Sequence, residues 1–206
     1  MPEFDDAFRA TLLQLFQWRR DVRHFRTDAL PPGLVRQLLD VAALAPSVGL
    51  SQPWRFVTVD DPARRAAIRQ NFSACNAEAL ARQDRAALYA RLKLAGLDDA
   101  PCHLAVFADP DPQQGGGLGR DTMPETTAYS AVLAIHTLWL AARAQGLGLG
   151  WVSILDPAVV VAALDVPAGW MFIGYLCLGY PTAAADRPEL ERLGWETPQP
   201  ATLLQR

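Results

Sequence analysis

The stretch from Pro124 to Gln145 restricts this chain more than any other. Ala128, Ala131, Val132, Ile135, Leu138, Trp139 and Ala142 recur at the 3.6-residue period of a helix, and Gly146 stands just past the end, where a left-handed residue closes one. Leu133, Ala134, Leu140 and Ala141 carry the apolar surface round to the other side. A helix with so little polar surface must be covered on both faces; a sheet of its own chain can supply one cover and a second subunit the other.

The other segments read as alternating helices and strands. Phe8, Leu12, Leu15 and Phe16 lie on one helical face, with Asp5 and Asp6 where negative charge suits an N-terminus, so a first helix is expected over Asp5 to Trp18. Pro31 and Pro32 open a second, with Leu34, Val35, Leu38, Leu39 and Ala42 as its core face and Pro46 as its stop. Trp54 to Val59 alternates and is rich in β-branched and aromatic residues, as a strand is. Asp60 and Pro62 start a polar, alanine-rich helical region that reaches Lys93 and reads either as a mobile lid or as a solvated helix pair. Further strands are expected at His103 to Asp109, Leu149 to Leu155 and Trp170 to Pro181, with a short helix after Asp156-Pro157. The glycine run Gly115 to Gly119 has no Lys-Ser/Thr after it and no strand-to-helix register, so it is not read as a nucleotide cradle. Strands separated by helices predict an α+β layered fold, a small mixed sheet flanked by helices. One domain spans residues 1–206, with a polar, proline-rich C-terminal arm from about residue 182.

Composition excludes several classes. With 206 residues, half of them apolar, and a net charge of −3, the chain can bury one sizeable core. A pI near 5.6 argues against a general nucleic-acid binder. The longest apolar run is broken by His136 and Arg143, and the N-terminus lacks an apolar signal core, so no membrane association is expected. Cys75, Cys102 and Cys177 share no pairing or metal-like spacing, and His24, His103 and His136 are isolated. The expected setting is a soluble, cytoplasmic, metal-free protein with reduced thiols.

Two stretches carry chemistry. In "WRRDVRHF" (Trp18 to Phe25), Arg19, Arg20 and Arg23 crowd around Asp21. Their forks suit a phosphate or other multi-anion ligand, while Arg19 and Arg20 could equally cap the carbonyl end of the first helix. In "APSVGLSQPWRF" (Ala45 to Phe56), two prolines stiffen a loop bearing Ser47, Ser51 and Gln52, able to read a polar planar ligand or simply to turn the chain. On strand alternation, Ser153 shares a face with Leu149 and Trp151.

Together these motifs resemble the nitroreductase-like flavoprotein superfamily, which pairs an arginine motif with a "PS-x-x-N-x-QPW" loop, here Pro46, Ser47, Leu50, Gln52, Pro53 and Trp54. Asp21 stands where generic members commonly have serine, and Leu50 where they commonly have asparagine. Those departures, with "GRDTMPETTAYS", "LWLAARAQGLGLGWVSIL" and "LKLAGLDDAP", are similar to the branch that makes 5,6-dimethylbenzimidazole, the lower ligand of cobalamin. The resemblance runs from about Leu15 to Trp195. It implies an intertwined homodimer with FMN at its interface, and oxygen-dependent fragmentation of reduced FMN to 5,6-dimethylbenzimidazole and erythrose 4-phosphate. A separate flavin reductase would supply the reduced FMN. Within that resemblance Asp21 and Ser153 are the catalytic residues, the carboxylate being kept ionised by its guanidinium neighbours. Arg19, Arg20, Asp21, Val22, Arg23, Ser47, Leu104, Ser153 and Arg192 contact the flavin, Leu104 against the ring and Arg192 near the phosphate. "LKLAGLDDAP" (Leu92 to Pro101) helps close the pocket. The competing readings are an NAD(P)H-dependent nitro- or quinone reductase that retains FMN, and a non-catalytic flavin carrier.

Overall fold

Every residue of the strand Cys102–Ala108 (β2) is buried, which is possible only for a strand covered on both faces. The computed structural model describes residues 3–82, 84, 88 and 96–206. Among them the chain runs α1 (Asp6–Trp18), α2 (Leu34–Ala42), β1 (Trp54–Thr58), α3 (Pro62–Ala81), α4 (Gly96–Asp99), β2, α5 (Thr126–Ala144), β3 (Gly148–Val152), α6 (Pro157–Leu164), β4 (Met171–Gly179) and α7 (Glu189–Arg192). The part of the expected lid that covers residues 83, 85–87 and 89–95 lies outside the described residues.

The strands form one sheet in the order β1-β2-β4-β3, and all three pairings are antiparallel. The sheet expected to be mixed is therefore mixed in one contact alone, an isolated parallel bridge between Asp21 and Leu149 on the outer edge of β3. The connecting helices return each strand from the opposite end, so alternation of helix and strand does not by itself impose parallel pairing.

Strand alternation feeds two cores. Ala105, Phe107, Tyr175 and Cys177 point to one side, where they meet Ile68 of α3 and Val160 and Leu164 of α6. Leu104, Val106, Leu176 and Leu178 point to the other, against Leu38 and Ala42 of α2 and Ile135, Leu138 and Ala142 of α5. At about 1.5–3 kcal/mol for each large apolar side chain buried, both layers contribute heavily. The helix starts are local: Asp61 and Asp156 cap α3 and α6 by accepting from the N–H groups of Ala63 and Ala158, each followed by a proline in the first turn.

The central helix α5 is only half covered. Thr127, Ala131, Ala134, Ile135, Leu138 and Ala142 are buried, while Tyr129, Val132 and Leu133 on its other side are exposed. Val132, expected on the core stripe, lies on this open side. Helix α1 buries no residue at all and leaves Phe8, Leu13, Phe16 and Trp18 exposed. The C-terminal arm does not leave the body at residue 182. Arg26 N–H donates to the Tyr180 carbonyl (2.8 Å) and Thr182 N–H to the His24 carbonyl (3.1 Å), so this segment first pairs with the arginine motif; residues 196–206 are exposed.

Candidate functional site

The edge strand β3 begins Gly-Leu-Gly-Trp, and the alternating glycines seat the site. A Cβ on Gly150 would lie 2.1 Å from the Val22 carbonyl oxygen, and one on Gly148 would lie 2.6 Å from the Val22 side chain. Only glycine lets the segment after α1 come this close. There Val22 N–H donates to the Leu149 carbonyl at 3.1 Å. Asp21 Oδ1 accepts the Trp151 N–H at 2.9 Å, and Oδ2 accepts a longer 3.3 Å contact from Arg23 Nε.

This geometry corrects the expectation for Asp21. Arg23 and the Trp151 N–H pull its proton affinity down, yet burial outweighs them and the carboxyl is raised above the usual aspartate range, with Glu189 adding to the rise. A carboxyl of raised proton affinity is a better proton acceptor than an ordinary aspartate.

Asp21 opens on a cleft walled by Trp18, Trp139, Arg143, Glu189 and Arg192, among others, with Leu147 and Gly148 at the base of β3. Arg20, Val22 and Arg23 line it too. The far wall is the segment 181–192, held down by Arg20, whose Nε and Nη2 donate to the Asp186 carbonyl at 2.9 and 2.7 Å. Arg20 Nη1 donates to the Arg19 carbonyl (2.8 Å), which is the helix-end role offered as one reading of the motif. Arg19 turns the other way and stacks on Trp139, 4.9 Å from the ring centroid; burial and the charge of Arg20 lower its proton affinity.

Of the residues singled out from sequence, the structure thus gathers Arg20, Asp21, Val22, Arg23 and Arg192 around one cleft. Arg19 backs it through Trp139. Leu104 is completely buried in the core between the sheet and α5 and reaches no cleft surface. Ser153 is exposed and falls one residue beyond β3, so the strand alternation used to orient it does not extend to it. Ser47 is half-buried in another part of the chain, where its Oγ accepts the Gln52 N–H at 3.1 Å across a short 3₁₀ turn, Val48–Leu50. Leu50 in that turn and Gln52 just after it hold left-handed backbone (φ 54° and 43°), which non-glycine residues adopt only at a cost.

Trp18, Trp139, Arg143 and Glu189 line the cleft without having been singled out. Nothing local marked them, but the Gly-Leu-Gly of β3 was a usable signal, because glycine inside a strand denotes close approach of another backbone. Among the described residues no cluster of three metal-ligating side chains occurs, and no helix is long and apolar enough to cross a membrane.

Comparison with known proteins agrees with this layout. The sequence profile of the nitroreductase family matches residues 16–180. A protein from Rhodospirillum rubrum named 5,6-dimethylbenzimidazole synthase is 60% identical over 207 residues, covering 100% of this chain and 98% of its own length. One of the same name from Rhodobacter capsulatus is 48% identical over 195 residues, covering 94% of each chain. Among solved structures, iodotyrosine deiodinase bound to FMN and 3-iodo-L-tyrosine superposes with a TM-score of 0.74 at 24% identity, covering 94% of this chain and 97% of its own, which establishes the shared fold. From the profile match and the full-length identity, the chain belongs to the nitroreductase family, alongside its 5,6-dimethylbenzimidazole synthases.

Proposed function

We propose that this protein is itself a 5,6-dimethylbenzimidazole synthase that consumes reduced FMN and oxygen. The observation that carries this reading is Asp21, a carboxylate of raised proton affinity seated by two donors at the mouth of a guanidinium-lined cleft. A reductase that merely stores electrons on a flavin has no need of a proton acceptor there; breaking a sugar chain does. The full-length identity to proteins of that name supports the same reading.

The cleft suits FMN chemically. Arg20, Arg143 and Arg192 have no carboxylate partner among the described residues, and Trp18 and Trp139 offer aromatic walls, a donor set matched to a planar ring on a phosphate-ended chain. In this reading Arg23 and Arg192 hold phosphate and ribityl oxygens, Arg20 pins the far wall through the Asp186 carbonyl, and Arg19 stiffens the near wall through Trp139. Reduced FMN supplies the electrons for oxygen and the carbon skeleton of 5,6-dimethylbenzimidazole, the rest of the sugar leaving as erythrose 4-phosphate. Asp21 Oδ1 is committed to Trp151, so Oδ2, with the longer contact, is the atom that takes a proton from a ribityl hydroxyl. Ser153 orients a polar group of the reacting chain, and Leu104 supports the ring indirectly from the core.

A homodimer completes the site in this reading. Ser47 does not reach the cleft of its own chain, and the uncovered apolar sides of α1 and α5 are suited to a second copy that would bring its own Ser47 loop across. Because FMN is used up, a separate flavin reductase must supply it in reduced form, in the cytoplasm and without a metal.

The test is to mix the protein with chemically reduced FMN, admit air, and measure 5,6-dimethylbenzimidazole by chromatography with mass detection. Product should scale with protein, and Asp21→Asn should lower it by at least about 100-fold while FMN still binds. Recovery of intact FMN together with steady NAD(P)H oxidation would instead make the protein a reductase on the same scaffold.

A further inference from the structure

The charges lining the cleft do not balance, and one of the unbalanced ones sits on the central helix α5. Arg23 faces Asp21 at 3.3 Å, and Arg187 is neutralised by Glu191 at 2.7 Å. Glu189 is 4.0 Å from His24. The fork of Arg20 is occupied by the Asp186 and Arg19 carbonyls. That leaves Arg143 and Arg192 with neither a carboxylate nor a carbonyl partner among the described residues. Arg192 belongs to a four-residue helix and is exposed. Arg143 lies in the last turn of α5, half-buried, with its guanidinium 5.8 Å from the ring centroid of Trp18. The carbonyl pole of α5 favours a cation there, and the indole fixes its plane. A guanidinium stacked on an indole, without a carboxylate or carbonyl partner among the described residues and lining the same cleft as Leu147 and Gly148, suits a tetrahedral anion.

We propose that Arg143 is a phosphate-binding residue of this cleft and the group that makes it prefer the phosphorylated flavin, FMN, over riboflavin. This rests on the FMN reading above and extends it to a residue that the arginine motif does not contain. The stacking on Trp18 gives Arg143 a second, structural job, so the decisive readout is selectivity rather than affinity alone.

The experiment is a fluorescence-quenching titration of flavin-free protein with oxidised FMN and, separately, riboflavin, in wild type, Arg143→Gln and Arg143→Lys. Wild type should prefer FMN. Arg143→Gln should reduce that preference about tenfold, with riboflavin affinity moving less than about threefold, and Arg143→Lys should restore most of it because a charge remains. An Arg143→Gln protein with unaltered preference overturns the assignment and leaves the FMN reading standing. Equal weakening of both flavins also overturns it, since that is what loosening of α1 would produce. A wild type that binds neither flavin removes the FMN reading and this inference together.

Discussion

Asp21, bridged to the edge of the sheet, and His103, in its middle, are polar groups that the fold treats in opposite ways. His103 lies on β2 with a neighbouring strand on either side; it is 2% exposed, its Nδ1 is 2.9 Å from the Tyr175 hydroxyl, and the two rings meet edge-on at 89°. Burial, helped by the charge of Arg65, pushes its pKa down to about 4, so it is neutral at pH 7. Asp21 lies beyond β3, where no further strand of the sheet follows and the Trp151 N–H and Leu149 carbonyl, left over from the ladder, bond Asp21 and Val22. Its side chain keeps 36% of its surface exposed, and the Arg23 and Trp151 donors oppose the rise in proton affinity that burial imposes. The difference shows where this fold can hold a reactive carboxyl. The middle of the sheet consumes its backbone donors in the ladder and neutralises what it buries, whereas an edge has donors left to support a carboxylate.

The seat at the edge is the most fragile part of that comparison. Gly150→Ala places a methyl 2.1 Å from the Val22 carbonyl oxygen, a backbone atom that cannot yield without carrying Asp21 with it. Product formation should fall by at least about 100-fold, together with a lower denaturation midpoint, since a misplaced catalytic group costs on that scale. Gly169→Ala is the control, because nothing lies within 4 Å of the Cβ it adds. Equal behaviour of the two variants would break the claim that β3 positions the carboxylate.

The central pair should show a smaller effect, on stability alone. His103→Phe strands the Tyr175 hydroxyl in the core, which costs about 1–3 kcal/mol and lowers Tm by roughly 3–10 °C. The pH dependence has a definite sign. A histidine whose pKa is depressed on folding contributes stability that is whole above its unfolded value near 6.5 and is lost as pH falls toward about 4, because the unfolded chain takes the proton first. Wild type should therefore lose Tm over that window, and His103→Phe should lose less; parallel curves would mean that the histidine is not held neutral.

The smallest effect returns to the edge. Asp21 is raised on folding, so its contribution to stability is present below its unfolded value near 3.8 and is lost as pH rises through the folded one. Asp21→Asn should accordingly gain about 1–2 °C in Tm at pH 7, limited by the exposure of the side chain, and the gain should vanish below about pH 4. A loss at pH 7 would mean that Arg23 and Trp151 outweigh burial.

Sequence alone determined the elements and the inventory of reactive groups. The caps Asp61-Pro62 and Asp156-Pro157, the glycine after α5 and the alternation in β1 and β2 are local signals, legible because helix and strand periods are properties of adjacent residues. The arginine motif and Asp21 were equally visible as a cluster of charge. Tertiary structure alone decided what that charge does. The N–H that holds Asp21 lies 130 residues away, and Arg20 is spent on a carbonyl 166 residues away that walls the cleft. The arm at residue 182 reads as polar tail because its partner is the arginine motif and not a core. Antiparallel pairing, the direction of the Asp21 shift and the free fork of Arg143 all depend on which distant segments meet, a choice made by the burial of two cores at once and written in no single stretch of chain.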